Sequence, residues 1–227
     1  MDLSDALSTA AGGMHVQSDK LDVIAENLAN ASTTGYRART FEVAASSGSL
    51  RSSTASVESQ GALRRTGVST DVALVGPGYF CLATPDGVRY TRDGRFSVDA
   101  DGYLASAQGH RVLGSFGAVR FPHGASIDAA GNVMTGKRAF DRLRIAAFDR
   151  PLQSGDSSGL FAEMRRVISR SPARVQSGFL EDSGVDAISQ MTALITAQRA
   201  FEANQKSVQQ ADETLKRVVT DVPAVRS

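Results

Sequence analysis

The residues that most invite a chemical reading are a Gly-Pro-Gly turn, a short acidic run, the histidines and one cysteine. Gly76-Pro77-Gly78 begins like the turn of a dinucleotide-binding unit, where glycines let backbone amides approach a pyrophosphate and a third glycine lets a helix pack on its strand. Cys81 occupies the place of that third glycine and Tyr79-Phe80 starts a β-type run, so the turn is expected to shape backbone, with no cofactor bound. Asp99, Asp101 and Gly102 resemble the start of a calcium loop, which needs glycine at its sixth position and a bidentate acid at its twelfth. Here the glycine comes early and His110 takes the acid's place, so a hairpin turn is expected instead. His15, His110 and His123 share no ligand spacing, His15 being expected on a helix surface and the others beside turns. Cys81 stands alone, which excludes an internal disulfide and a paired-thiolate metal site, and it reads as a small buried apolar side chain. With no Cys–His pair, nucleophile elbow or clustered acids, no catalytic or metal-binding residue is expected, and the chain reads as a non-enzyme.

The elements that carry these residues announce themselves more clearly. From Leu3 to Leu28 apolar residues follow a heptad: Leu7, Met14, Leu21 and Leu28 recur, with Leu3, Ala10, Gln17 and Ile24 interleaved. Such alternation of four- and three-residue steps is the seam of a coiled coil. Gly12-Gly13 weakens this helix, since each interior glycine costs about 1 kcal/mol relative to alanine. A second seam runs through Leu194, Phe201, Val208, Leu215 and Val222, interleaved with Ala197, Asn204, Ala211 and Val218. Ser183 or Asp186 is expected to cap it, with Glu181, Asp182 and Asp186 near its positive end, and Pro223 to stop it. Val16, Val23, Met191, Ile195 and Val219 lie beside the seams, more apolar surface than a two-helix hairpin would cover.

Between the helices the grammar changes to short apolar alternations broken by turn signals such as Pro85-Asp86-Gly87, Arg92-Asp93-Gly94 and Gly131-Asn132. That spacing predicts an all-β module over 63–180, its clearest strands at Tyr79–Leu82, Val88–Thr91, Phe96–Val98 and Arg111–Leu113. Ala44 to Gln60 is Ser-rich with few large apolar side chains and reads as a linker or mobile loop. The expected class is therefore α+β: an N-terminal helix and exit over 1–35, a linker over 36–62, the β-module, and a C-terminal helix over 181–227.

Composition excludes more than it identifies. At 41% hydrophobic and 22% charged the chain is neither disordered nor strongly acidic or basic. The net charge of +1 conceals a −4 segment over 1–31, a −2 segment over 181–227 and a +7 middle. The middle's arginines are dispersed without interleaved aromatics, so no nucleic-acid partner is expected. No stretch approaches the roughly 20 apolar residues of a membrane-spanning helix, and Met1-Asp2-Leu3-Ser4-Asp5 lacks the basic and apolar regions of a cleaved secretory signal.

One segment remains: Asn27-Leu28-Ala29-Asn30-Ala31-Ser32-Thr33-Thr34-Gly35-Tyr36-Arg37. Physically it is a helix exit, with Asn30 suited to a left-handed cap, Ser32 and Thr33 able to bond nearby backbone, and Gly35 supplying a turn. It also resembles the signature of the flagellar rod and hook family: Asn-Leu-Ala-Asn, two variable residues, Thr, one variable residue, Gly, an aromatic and a base. The resemblance continues through Asp71-Val72-Ala73-Leu74, Gly78-Tyr79-Phe80, Tyr90 to Phe96, Asp101 to Leu104 and Gly109 to Gly114. It ends in the closing-helix run Ala197 to Asn204 with Ala211-Asp212-Glu213.

The resemblance implies a structural subunit of the flagellar basal-body rod, polymerising helically with copies of itself and other axial proteins into a torque-transmitting shaft. It implies an inner coiled-coil layer made by the terminal helices, and export through the flagellar type III apparatus to an extracytoplasmic position without a cleaved signal. Leu7, Met14, Leu21, Ile24, Leu28, Leu194, Phe201, Val208 and Leu215 would form the assembly seam. Asn27, Leu28, Ala29, Asn30, Thr33, Gly35 and Tyr36 would carry the family motif. The short segment after Arg37 favours the proximal over the distal rod, although the closing-helix run is fuller, as in a distal subunit; a hook subunit fits least. The readings from other classes are a chaperone or a cell-wall-binding adaptor, the latter using Arg165, Arg166, Arg170 and Arg174, and, more remotely, a hydrolase.

Overall fold

A computed structural model describes residues 3–46, 49–56, 60–148, 161–162, 167–168 and 172–221, with side chains over 12–44, 52–54, 60–148, 172–210, 213–214 and 216–217. Two helices, α1 (Leu3–Ala29) and α2 (Ala187–Asp221), flank the strands. These run β1 (Arg39–Ser46), β2 (Ser49–Ser56), β3 (Leu63–Arg65), β4 (Val72–Val75), β5 (Tyr79–Thr84), β6 (Gly87–Thr91), β7 (Phe96–Val98), β8 (Leu104–Ser106) and β9 (Arg111–Gly114). They continue as β10 (Gly117–Ala118), β11 (Ala125–Ile127), β12 (Asn132–Thr135), β13 (Arg138–Arg142), β14 (Ile145–Phe148), β15 (Phe161–Ala162), β16 (Val167–Ile168), β17 (Arg174–Ser177) and β18 (Phe179–Glu181). The class is mixed α+β. Residues gather into two compact units: Met1–Leu28 with Thr40–Thr54 and Asp186–Ser227, and Ala29–Arg39 with Ala55–Val185.

In the first unit α1 runs unbroken through Gly12-Gly13. Its last turns bury Val23 at 7% exposure, Ile24 at 6% and Asn27 at 2%, so Val23, expected beside the seam, is covered within this chain. Asp186 is the α2 cap: its carboxylate accepts the Ile188 N–H at 3.1 Å and the Ser189 hydroxyl at 2.6 Å. Those bonds, the Ser189 hydroxyl foremost, hold the Asp186 carboxyl below the usual range. Glu181 and Asp182, expected at the helix's positive end, instead close and follow β18.

A second correction concerns Ala44 to Gln60. Where it is described, most of this stretch is strand, and β1 and β2 form their own two-stranded sheet. Scarcity of large apolar side chains did not prevent strand formation, because Thr and Ser side chains tolerate extended backbone and main-chain pairing needs no apolar partner. The sheet is tied to α1 by the Ser52 hydroxyl, which donates to Asp19 Oδ2 at 2.7 Å.

The second unit is built around β5. The main sheet runs β15–β6–β5–β9–β8–β7, with β10 added to β9 and β14 pairing with both β5 and β16. Alternation along β5 divides its side chains between faces. Phe80 and Leu82 enter a cluster with Val72, Leu74, Phe96, Leu104 and Val112, while Tyr79 and Cys81 enter another with Tyr90 and Ala146. Edge-to-face rings reinforce each cluster, Phe80 on Phe96 at 5.2 Å and Tyr90 on Phe148 at 4.9 Å. β11–β12–β13 form a separate antiparallel sheet.

The unit's last strands return to its first: β17 pairs with β4, setting Val175 against Leu74, and β18 pairs with β3, setting Leu180 against Arg64. Gly94 permits a further close approach, since a Cβ there would lie 1.5 Å from the Val72 carbonyl oxygen. The Val72 N–H meanwhile donates to Gly94 O at 3.0 Å. Gly76-Pro77-Gly78 leads directly into β5, and the Asp99–Gly102 run turns β7 into β8, both as expected from their turn chemistry.

Candidate functional site

The helix-exit motif begins inside α1 and ends in the β-unit. Asn27 is buried and its side-chain amide donates to Gln190 Oε1 of α2 at 3.4 Å. Leu28 is half-buried and Ala29, the last helical residue, is exposed. Asn30 organises the turn: its carbonyl accepts the Thr33 N–H at 3.1 Å and its Oδ1 accepts the Thr33 hydroxyl at 3.1 Å. Gly35 takes the left-handed conformation, with φ of 68°.

Gly35 sits where no side chain fits. A Cβ there would lie 2.5 Å from the Arg92 carbonyl carbon and 2.7 Å from Asp93 N. The Gly35 N–H donates to Glu181 O at 2.7 Å, and the Tyr36 carbonyl accepts the Gly184 N–H at 2.9 Å. The backbone entering the unit after α1 is therefore bonded, within that unit, to the backbone leaving it before α2. Thr34, buried beside Gly35, accepts from Arg95 Nη2 at 2.9 Å.

Beneath this crossing lies a buried ion cluster. Glu181 is 2% exposed and its carboxylate is shared by two guanidinium groups. Arg92, 1% exposed, reaches Oε2 through Nε at 3.0 Å and Nη2 at 2.9 Å; Arg37, 7% exposed, reaches Oε1 at 3.2 Å. Oε1 also accepts the Gly61 N–H at 3.2 Å. Arg92 Nη1 donates to the Gly76 carbonyl at 2.9 Å and the Gly78 carbonyl at 2.6 Å, and Nη2 to the Leu74 carbonyl at 3.3 Å. Burial lowers the Arg92 pKa, opposed by the Glu181 charge. The cluster staples the exit segment, the turn before β5, the turn after β6 and the end of β18.

That geometry holds backbone and offers no nucleophile or general base aimed at open space. A cleft of about 330 Å³ lies beside Arg37, lined also by Gln60, Gly76, Pro77, Gly78, Tyr79 and Phe148. Among the described residues no group of His, Cys, Asp and Glu is arranged to hold a metal ion. His15 is exposed on α1 with Nδ1 3.2 Å from Asp19 Oδ1, and His110 and His123 lie beside turns. No helix among the described residues is long and apolar enough to cross a membrane.

The expected seam residues are distributed unevenly. Ile24 is buried, while Met14, Leu21, Leu28, Leu194, Phe201 and Val208 are half-buried. The side chains of Leu7 and Leu215 lie outside the described residues, as do Val222, Pro223, Arg165, Arg166 and Arg170; Arg174 is exposed on β17. Beside the α2 seam, Ile188, Met191 and Ile195 are exposed by 78%, 51% and 54%. Sequence reasoning missed the role of Glu181, assigning it to a helix dipole, and treated Arg37 only as a base ending the motif. The available signal was an acid directly after the apolar pair Phe179-Leu180, with arginines in two of the motifs.

Comparison with known proteins completes the picture. Family models match at three places: "Flagella basal body rod protein" over residues 7–37, "Flagellar hook protein FlgE/F/G D1 domain" over 73–135 and "Flagellar basal body rod FlgEFG protein C-terminal" over 176–221. The chain is 33% identical over 241 aligned residues to flagellar basal-body rod protein FlgF of Escherichia coli, covering 93% of this chain and 95% of that protein. It is 32% identical over 237 residues to FlgF of Mesorhizobium japonicum, covering 94% and 98%. To FlgG of Agrobacterium fabrum it is 31% identical over 256 residues, covering 92% and 95%. The ion cluster draws Arg37 from the first matched region, Arg92 from the second and Glu181 from the third. With matches across nearly its whole length to proteins of one kind, the chain belongs to the flagellar basal-body rod protein family and is a structural subunit of the flagellar basal body.

Proposed function

We propose that this subunit polymerises helically with copies of itself and other axial proteins, its terminal helices forming an inner coiled-coil layer and the whole acting as a torque-transmitting shaft. The observation that carries this reading is the α2 face of Ile188, Met191 and Ile195, three and four residues apart and exposed by 78%, 51% and 54%. Spacing of that kind makes one continuous apolar stripe, which water disfavours and a neighbouring helix would cover. Half-buried Leu194, Phe201 and Val208 widen the stripe, and Met14, Leu21, Ile24 and Leu28 with Leu7 and Leu215 complete the seam. Interlocked side chains in such a layer resist twist as close-packed interiors resist deformation.

The short segment after Arg37 supports a place in the proximal rod. Export through the flagellar type III apparatus to the periplasm or cell-wall zone, without a cleaved signal, belongs to the same reading, as does the lack of catalytic activity. The test is Phe201→Ala. A fully buried Phe→Ala change costs about 3–5 kcal/mol, and a polymer that buries this ring should lose rods and motility while the tyrosine signals of the β-unit, read in the purified full chain, keep their thermal midpoint. Complete rods and normal swimming in that strain would refute the coiled-coil layer.

A further inference from the structure

We propose that the β-unit carries its own subunit-to-subunit contact, in which the Phe116 tip of one copy docks in a groove beside β13 of the next. The inference rests on the rod-polymer reading and adds a contact outside the helices. Phe116 is the most exposed large apolar side chain among the described residues, at 88%. It sits in the turn between β9 and β10, and that turn is not loose. The Ser115 N–H donates to the Arg142 carbonyl at 2.9 Å and to Asp141 Oδ1 at 3.1 Å, so the ring is presented from anchored backbone with an anionic carboxylate beside it.

The complementary surface lies on the same unit. A groove of about 670 Å³ is lined by Asp101, Gly102, Arg120, Pro122, Thr135, Arg138 and Phe140. Phe140 reaches it from a β-bulge: Val133 pairs with Asp141 and Met134 with Ala139, leaving Phe140 as the extra residue on β13. Bulges re-aim side chains at the edges of sheets. Arg120 is stacked over the Tyr103 ring at 5.4 Å, which holds a cation at the groove wall. The groove's one acid, Asp101, is engaged by Arg111 Nη2.

The groove thus offers an apolar floor and two arginines, and the tip offers an aromatic ring and a carboxylate. Phe116 does not line the groove of its own molecule, so one copy's tip is left for another copy's groove. Made in one direction only, such a contact is head-to-tail and closes into a ring or continues as a helix, whereas the same two patches reciprocated about a two-fold would stop at a dimer. A buried aromatic anchor at a protein interface is the usual type of hot spot.

Cysteine pairing in assembled basal bodies tests the contact. The double variant Phe116→Cys/Thr135→Cys, with Cys81 left in place because it is fully buried, should give disulfide-linked dimers of this chain after mild oxidation, and neither single variant should. Phe116→Ala is the companion, because a ring so exposed cannot be needed for folding. It should weaken copy-to-copy association by roughly 30-fold, the size of a hot-spot loss, and reduce the number of complete rods. Complete rods without the cross-link, or a cross-link only to a different axial protein, would overturn the proposal. Complete rods in the Phe116→Ala strain would overturn it as well, and if Phe201→Ala abolished rods in parallel, the helix reading would stand without it.

Discussion

Replacing Glu181 with glutamine should destabilise the β-unit's closure while nearly preserving the size and shape of the side chain. The carboxylate is 2% exposed and neutralises Arg92 and Arg37, themselves 1% and 7% exposed, so the amide leaves two guanidinium groups buried against each other. Removing one partner of a buried pair costs about 3–5 kcal/mol, a large share of the roughly 5–15 kcal/mol that holds a typical domain together. With a urea slope of about 2 kcal/mol/M, a loss near 4 kcal/mol moves the midpoint down by about 2 M. The chain has no Trp, but Tyr79 and Tyr90 are buried in the unit, so tyrosine emission or near-ultraviolet dichroism reports its melting. Asp86→Asn is the control: Asp86 pairs with Arg89 at 3.7 Å with its side chain 79% exposed, and an exposed pair is worth about 0–1 kcal/mol. The all-apolar variant Arg37→Met/Arg92→Met/Glu181→Leu should not recover stability, because it orphans the Gly76 and Gly78 carbonyls that Arg92 satisfies and the Gly61 N–H that Glu181 accepts, while the Leu74 carbonyl keeps Gln60 Nε2 at 2.8 Å. A buried acceptor left without a donor costs about 1–3 kcal/mol. A glutamine variant within about 1 kcal/mol of the parent in the same titration, or full recovery in the apolar variant, would show that the cluster does not hold the unit closed.

Gly35→Ala should destabilise by more than the ~1–2 kcal/mol of a left-handed non-glycine residue, because its Cβ would also meet the Arg92 backbone at 2.5 Å; a midpoint shift below that range would contradict the packing. Asp93→Asn should act through pH. Burial pushes the Asp93 carboxyl above its ordinary value of 3.8, with Asp71 adding to the shift, while the Arg95 N–H, 3.0 Å from Oδ1, opposes it. A raised folded-state pKa gives stability present below the unfolded value and lost as pH rises through the folded one. Asparagine keeps the acceptor and sheds the charge, so the variant should gain on the parent at neutral pH and lose that advantage below about pH 4; paired thermal melts at the two pH values decide it.

Much of this fold was legible because local rules and global packing agree. Phe96–Val98 was read with its observed bounds, and the Tyr79, Val88 and Arg111 strands were placed to within a residue or two, since each is an apolar run closed by a glycine turn. The helices were legible from their seams. What escaped was anything depending on contacts across the chain. In the sheet of β1 and β2 only Phe41 and Val43 alternate as large apolar side chains, and β2, with Leu50 alone, has no apolar face to betray it. Glu181 looked like a helix-end acid because its true partners stand 89 and 144 positions away in sequence. No periodicity carries that pairing; only the return of β17 and β18 to β4 and β3 creates it.

That return also explains why the cluster is ionic. An apolar plug would cover the same volume, yet it would accept any chain segment of similar size. Here one carboxylate must meet two arginines while the Gly35 N–H meets the Glu181 carbonyl and the Gly184 N–H meets that of Tyr36. A one-residue slip of β18 against β3 would turn Glu181 to the opposite face, away from Arg92 and Arg37. The ion cluster thus sets a slipped register of the last strand at a disadvantage to the one that pairs Phe179 with Arg65 and Leu180 with Arg64.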